Sequence, residues 1–295
     1  MAVWNLGSIN IDNAYRVPHL PSAGETISAK SHQKGLGGKG ANMSVAIARG
    51  AASVTHIGAV GADGVWAVER LMEYGVDTRH ITKLANEVTG HANIAVADDG
   101  ENQIIIYPGT NRMITDDMIG GALAVASPGD ILVMQNETNG QLRAAKIAKK
   151  MGLNVVYAAA PFEAEAVTNV LPYTDLLVLN AVEANQLKAV LGRSLKDLGV
   201  HNIVVTQGGD GSCWIDALAK LETQIPAISV ASVASVDTTG AGDTFTGFLV
   251  AGLDRGLPMM QSLNLATQAA ALMVARFGTA DVIPDLKEIE EARLG

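Results

Sequence analysis

The run Asp237-Thr238-Thr239-Gly240-Ala241-Gly242-Asp243, continuing into Thr244-Phe245-Thr246-Gly247-Phe248, carries the most chemistry in this chain. It sets a turn of small residues where an apolar helical pattern begins, with an acid just inside the start. Backbone N–H groups crowd together in such a turn, and the helix N-terminus adds partial positive charge. Asp243 stands where it can accept a proton from a hydroxyl. An anion cradle beside a base is what phosphoryl transfer to an alcohol requires. An N-capped helix after a glycine turn is the plainer reading of the same residues.

Other polar residues fall at turns of comparable kind. Gly37-Gly38-Lys39-Gly40-Ala41-Asn42 combines glycines that permit close backbone approach with one cation and one amide. The overlapping Gly35-Leu36-Gly37-Gly38-Lys39-Gly40 matches GxGxxG, but the residues before it are too polar for a buried strand, so a dinucleotide site is rejected. GxxxxGK[ST] fails as well, because Gln33 stands at its first glycine and Gly40 follows Lys39. Asn10 and Asp12 share a face in extended chain, and an amide with a carboxylate suits a polyol. Glu137, Asn180 with Glu183, and the run Thr206-Gln207-Gly208-Gly209-Asp210-Gly211 each follow an apolar stretch. The six histidines have no metal-ligand spacing.

The elements that must position these groups alternate. Strand patterns at 3–9, 54–60, 131–135, 155–159, 176–179 and 203–206 are separated by helical patterns at 41–49, 65–74, 116–126, 140–151, 163–171 and 182–191. Alternation of this kind predicts an α/β fold, a Rossmann-like mostly parallel sheet flanked by helices. Ligands then bind at the C-terminal strand ends, where the polar residues above collect. Two helices, at 241–255 and 258–277, close the chain. Residues 12–33, polar and turn-rich, and 89–107, a hairpin around Asp98-Asp99-Gly100-Glu101-Asn102, interrupt the alternation. They predict a small β-sheet lid formed by about 12–36 and 89–108 on a single domain covering 1–295. Residues 212–217 and 220–225 read as an antiparallel edge extension.

Bulk composition limits the rest. The 295 residues are 48% hydrophobic and 17% charged, with a net charge of −9 that disfavours a nucleic-acid surface. Cys213 is the single cysteine, so an internal disulfide is impossible. No leader-like start and no long apolar stretch appear, and a cytoplasmic protein with no membrane or nucleic-acid partner is expected.

The two signatures, 37–42 and 237–243, resemble those of the ribokinase-like (PfkB) family of carbohydrate kinases, and the similarity runs from Gly7 to Pro284. The resemblance implies ATP as co-substrate and a small sugar, ribose first, as acceptor. It implies Asp243 as catalytic base and the backbone of Gly240, Ala241 and Gly242 as anion hole. Asn10, Asp12, Gly38, Lys39, Asn42 and Glu137 match sugar-binding positions. Asn180, Thr206, Gly208, Gly209, Gly211 and Thr267 match nucleotide positions. Glu183 with Asn180 matches an NxxE motif that organises Mg²⁺ through water. Asp237, Thr239, Met273, Arg276 and Gly278 match a loop for a monovalent cation, K⁺. A homodimer through the lid is also implied.

Four positions depart from the family pattern: Ala158-Ala159-Ala160 replaces Asn-Pro-Ala, Ala181-Val182 fills the NxxE interior, Val282 replaces a hydroxyl, and Ala51 replaces Gly or Ser. They leave open the use of Mg²⁺ and K⁺ and the identity of the acceptor: fructose, 2-keto-3-deoxygluconate and adenosine are alternatives. An inactive sugar-binding sensor is the rival from another class.

Overall fold

A computed structural model describes residues 1–228, 238–276 and 278–292. In chain order its strands are β1 (Val3–Leu6), β2 (Asn10–Val17), β3 (Ser31–Gly37), β4 (Val54–Gly61), β5 (Asp77–Leu84), β6 (Gly90–Ala97), β7 (Asn102–Tyr107), β8 (Ile131–Met134), β9 (Asn154–Ala158), β10 (Leu176–Asn180), β11 (Asn202–Thr206), β12 (Ser212–Asp216) and β13 (Leu221–Ile225). The α-helices are α1 (Lys39–Arg49), α2 (Val65–Glu73), α3 (Asp116–Leu123), α4 (Gln141–Met151), α5 (Ala164–Val170), α6 (Ala181–Leu191), α7 (Ala241–Asp254), α8 (Met259–Met273) and α9 (Leu286–Glu291). The large sheet runs β13-β12-β11-β10-β9-β8-β1-β4-β5. It is parallel from β5 to β11, and β12 and β13 add the antiparallel extension that the sequence indicated.

Its strands are apolar on both faces because helices cover both. Val3, Val133 and Val178 point into one core with Ile47, Phe248, Leu249 and Leu263 from α1, α7 and α8. Their neighbours Leu6, Met134 and Leu179 point into the other, with Ile119, Ala144, Val167 and Leu187 from α3 to α6. Side chains of this size contribute about 1.5–3 kcal/mol each when fully buried. The glycine turn and Asp243 are thus tied to a helix with a heavily buried flank.

The small sheet, β3-β2-β6-β7, is separate. It pairs β2 with β3 antiparallel, Asn10 opposite Gly37, and β2 with β6 parallel, Asn10 opposite Gly90. Of the polar stretch 12–33, residues 12–17 and 31–33 are strand and 18–30 are not; a sheet with one face toward water needs no apolar run. The charged edge strand β5 also escaped the sequence pattern, as edge strands carry polar residues freely.

Three expected elements end three or more residues short of the sequence reading; one is α3, expected to reach 126, which ends at Leu123 where the Ala126 amide turns onto the Leu123 carbonyl at 3.0 Å. The first strand, expected over 3–9, ends at Leu6 because Gly7 meets α1 there: a Cβ on Gly7 would lie 2.5 Å from the Gly40 Cα. The last long helix, expected to reach 277, ends at Met273, where the Arg276 amide closes a turn onto the Met273 carbonyl at 3.0 Å.

The Gly7–Gly40 contact sets how close β1 comes to the first turn of α1. A Cβ on Gly40 would lie 2.3 Å from both the Gly7 Cα and the Ser8 nitrogen. Overpacking of this kind costs about 1–3 kcal/mol. Gly40→Ala should lower Tm by several degrees, whereas Gly120→Ala, with nothing within 4 Å of its Cβ, should not. Calorimetry of the two variants checks this.

Candidate active site

Gly240 caps α7 in the left-handed region, φ 77°, a conformation that suits glycine. The turn lies against α1 and α8: a Cβ at Gly240 would sit 3.3 Å from the Met273 Cε and 3.6 Å from the Asn42 Nδ2. Asp243, in the first turn of α7, is buried. Its Oδ2 accepts a hydrogen bond from Asn42 Nδ2 at 2.9 Å. The other end of that amide, Asn42 Oδ1, is buried without a partner. Burial raises the Asp243 carboxyl to about 6, against the fields of Lys39 and the Asn42 hydrogen bond, with Glu137 and Glu183 adding to the rise. Lys39 is raised in turn, chiefly by Asp243. These residues form one electrostatic unit drawn from α1, α6, α7 and the segment after β8.

Glu137 links the two chain segments that flank α1. Its Oε2 accepts from the Lys39 amide at 3.0 Å and from Ser8 Oγ at 2.6 Å, and Ser8 Oγ accepts from the Gly40 amide at 3.1 Å. Asp12 is raised to about 7, mostly by burial and then by Glu137. Its carboxyl lies over Gly37, where a Cβ would come within 2.0 Å of Oδ2. Asn10 Oδ1 accepts from Asn111 Nδ2 at 2.7 Å. Ser8 and Asn111 were not singled out by sequence. Ser8 stands inside the run Gly7-Ser8-Ile9-Asn10, but nothing local marks Asn111, which arrives from just beyond β7.

Two cavities flank this unit. One of about 360 Å³ is lined by Thr206, Gly208, Gly209, Gly211, Phe245 and Thr267, and it reaches Ala241 and Gly242. Glycine edges and an apolar floor suit a flat ring, with its charged tail at the start of α7. The other, about 900 Å³, lies beneath the small sheet, between Asp12, Ala14, Ile94, Val96 and Ile104 on one side and Thr238, Thr239, Gly278 and Val282 on the other.

Some expected site residues already have partners of their own. Asn180 and Glu183 are occupied with each other: Asn180 Oδ1 accepts from the Glu183 amide at 2.9 Å, and Glu183 Oε2 accepts from the Asn180 amide at 2.8 Å. The NxxE spacing thus forms a capping box on α6, and burial raises the Glu183 carboxyl against the lowering effects of the Asn180 amide and Lys39. Arg276 turns its guanidinium to Glu288, at 2.6 Å, and to the Val282 carbonyl, at 3.1 Å, so a contribution to a cation site would come from its backbone. Met273 is fully buried against Gly240. Asp237 lies outside the described residues. Among the described residues no three His, Cys, Asp or Glu cluster to hold a metal ion, and no helix is long and apolar enough to cross a membrane.

The sequence profile described as pfkB family carbohydrate kinase matches residues 3–286. The chain belongs to this family and is an ATP-dependent sugar kinase. It is 34% identical to a ribokinase of Haemophilus influenzae over 97% of this chain and 96% of that one. It is also 29% identical to a deoxyribokinase of Salmonella typhi, over 97% and 96%. Among solved structures, Arabidopsis thaliana ribokinase complexed with ribose and ATP superposes with a TM-score of 0.85 at 30% identity, covering 99% of this chain and 98% of that one. Thermotoga maritima ribokinase gives 0.87 at 29%, covering 98% of each. The fold class expected from the sequence is thereby borne out.

The geometry gives Asp243→Asn a definite expected effect. The variant keeps the acceptor for Asn42 but cannot take a proton; if Asp243 is the general base, its loss should cost about 10²–10⁴-fold in kcat. A base must be deprotonated to act, so with Asp243 in that role wild-type kcat/KM should fall as pH drops through about 6, and that acid limb should vanish in the variant. The stability sign is opposite. A carboxyl raised above its unfolded value stabilises the fold below pH 4 and loses that contribution as pH rises through about 6. The Asn variant should therefore melt no lower than wild type at pH 8. Initial rates and melting curves from pH 5 to 8 check both.

Proposed function

We propose that this kinase transfers the γ-phosphoryl group of ATP to the primary hydroxyl of D-ribose, giving ribose 5-phosphate. The observation that carries the reading is the convergence of a buried carboxylate at a helix start, Asp243, with Asn42, whose Oδ1 has no partner, and with Lys39 and Glu137. In this reading Asn10, Asp12, Gly38, Lys39, Asn42 and Glu137 hold the sugar hydroxyls. Asp243 takes the proton of the attacking hydroxyl. The N–H groups of Gly240, Ala241 and Gly242 stabilise charge on the transferring group. The adenine side of ATP occupies the cavity of Thr206, Gly208, Gly209, Gly211 and Thr267.

The residues present fit a Mg²⁺ carried mainly by phosphate oxygens and water, since that ion keeps several waters and needs few carboxylates. Glu183 would reach it through water, its capping box engaging one carboxylate oxygen. When bound, the ion neutralises phosphate charge. K⁺ would be held by Asp237 with main-chain oxygens of Thr239, Met273, Arg276 and Gly278, steadying the anion hole. The lid edge β7 exposes Ile104, Ile105, Ile106 and Tyr107, each about half or more accessible, which favours a homodimer through the lid. A cytoplasmic location completes the reading.

A second reading, 2-deoxyribose as acceptor, is favoured by the Salmonella typhi deoxyribokinase relative. Coupled ADP release over pentoses, hexoses and nucleosides separates the two. Ribose should show the highest kcat/KM, with 2-deoxyribose poorer because an unpaired buried polar group costs about 1–3 kcal/mol. A preference for 2-deoxyribose would favour the second reading, and sugar binding without turnover would mean a sensor. In the same assay KCl should give faster turnover than choline chloride at equal ionic strength, and Asp237→Ala should abolish the difference. Equal wild-type rates in the two salts would make the loop merely structural.

A further inference from the structure

Beneath the first turn of α1 lie four buried polar side chains that make no part of the chemistry above: Asn5, Ser44, His56 and Gln135, all fully inaccessible. They interrupt an apolar alternation. Val3 on β1, Val54 and Val60 on β4, and Ile131 and Val133 on β8 face the core with α1 and α7. Asn5, His56 and Gln135 follow those residues at even spacing, so they share that face. Asn5 is paired directly with His56 across β1 and β4.

Their hydrogen bonds join end to end. Gln135 Nε2 donates to Asn5 Oδ1 at 2.9 Å. Asn5 Nδ2 lies 2.8 Å from both the Gly40 carbonyl and Ser44 Oγ. Ser44 Oγ is 2.9 Å from His56 Nδ1, and His56 Nε2 is 3.0 Å from the Gly7 carbonyl. A carbonyl only accepts, so His56 Nε2 carries a proton. Burial lowers the imidazole to about 4, so the ring is neutral and Nδ1 is bare. Ser44 must then donate to Nδ1 and accept from Asn5. Every proton in the chain from Gln135 to Gly7 has one permitted place.

The backbone groups this chain grips, Gly7 O and Gly40 O, belong to the two glycines in direct contact. One leads to Ser8, Asn10 and Asp12; the other sits between Lys39 and Asn42. We infer that Asn5, Ser44, His56 and Gln135 are positioning residues, a one-way hydrogen-bond chain that sets the spacing between the two walls of the acceptor pocket. The inference rests on the sugar-kinase reading for its purpose, but not for its test.

In the free protein, ¹⁵N NMR should find His56 neutral with the proton on Nε2. His56→Phe should speed hydrogen exchange of the Gly40, Ala41 and Asn42 amides at least tenfold while the β10 amides change little. If that variant does not fold, Ser44→Ala/His56→Phe, which also removes the hydroxyl that His56 no longer accepts from, takes its place. His56→Gln, able to donate to Gly7 O, should recover part of the protection. In the rate assay His56→Phe should raise the ribose KM about tenfold and the ATP KM less than twofold. A proton on Nδ1, or exchange that quickens equally throughout the core, would overturn the inference. Absence of ribose turnover in wild type would overturn the proposed acceptor and leave the exchange result intact.

Discussion

A carboxylate held in the interior where two helices begin is the constraint on which the site depends. Asp243 is desolvated, and desolvation raises its carboxyl. Lys39 and the Asn42 amide bring it back to about 6. Both belong to the first turn of α1, so the acidity of Asp243 depends on where α1 stands relative to α7. The fold answers with a packed helix pair above the sheet, in which Gly247 of α7 would drive a Cβ to 2.4 Å from the Ala46 Cβ of α1. Close approach of the two helices lets two short side chains meet across their starts.

The position of α1 is fixed from below as well. Ser8, Glu137 and the amides of Lys39 and Gly40 form one small network at the strand ends. The polar chain through Asn5 and His56 lies underneath it. Of the polar side-chain atoms of Asn5, Ser44, His56 and Gln135, only Gln135 Oε1 is buried without a partner, and a network so largely paired favours one geometry over its neighbours. A sheet edge with only apolar strand ends would leave the Gly7 and Gly40 carbonyls without these partners.

How much of this the sequence disclosed depended on whether a residue's neighbour was near in the chain. The alternation of strands and helices, the hairpin at 98–102 and the pair β12–β13 are local patterns, and they are present where they were read. The glycine turn before Asp243 was equally local. The end of α8 at Met273 was not: the alanine-rich pattern runs on, and the chain turns where Arg276 finds partners in Glu288 and the Val282 carbonyl. Asn111 contacts Asn10 across 101 residues, and no spacing rule reaches that far. Asn180 and Glu183 show the reverse case, a motif read for its ligand that also serves its own helix as a cap. His56 has no metal-ligand spacing in the sequence, and only the pairing of β1 with β4 and its hydrogen bonds reveal what it holds.

The central claim is that Asp243 and the start of α7 face the same reacting atom from two sides. A crystal structure with D-ribose and a non-hydrolysable ATP analogue tests it most directly. The account predicts the primary hydroxyl oxygen of the sugar about 2.6–3.2 Å from an Asp243 carboxylate oxygen, within hydrogen-bond reach, and the terminal phosphate over the Gly240–Gly242 amides. A sugar whose primary hydroxyl points away from Asp243, or a terminal phosphate seated elsewhere than at that turn, would contradict it.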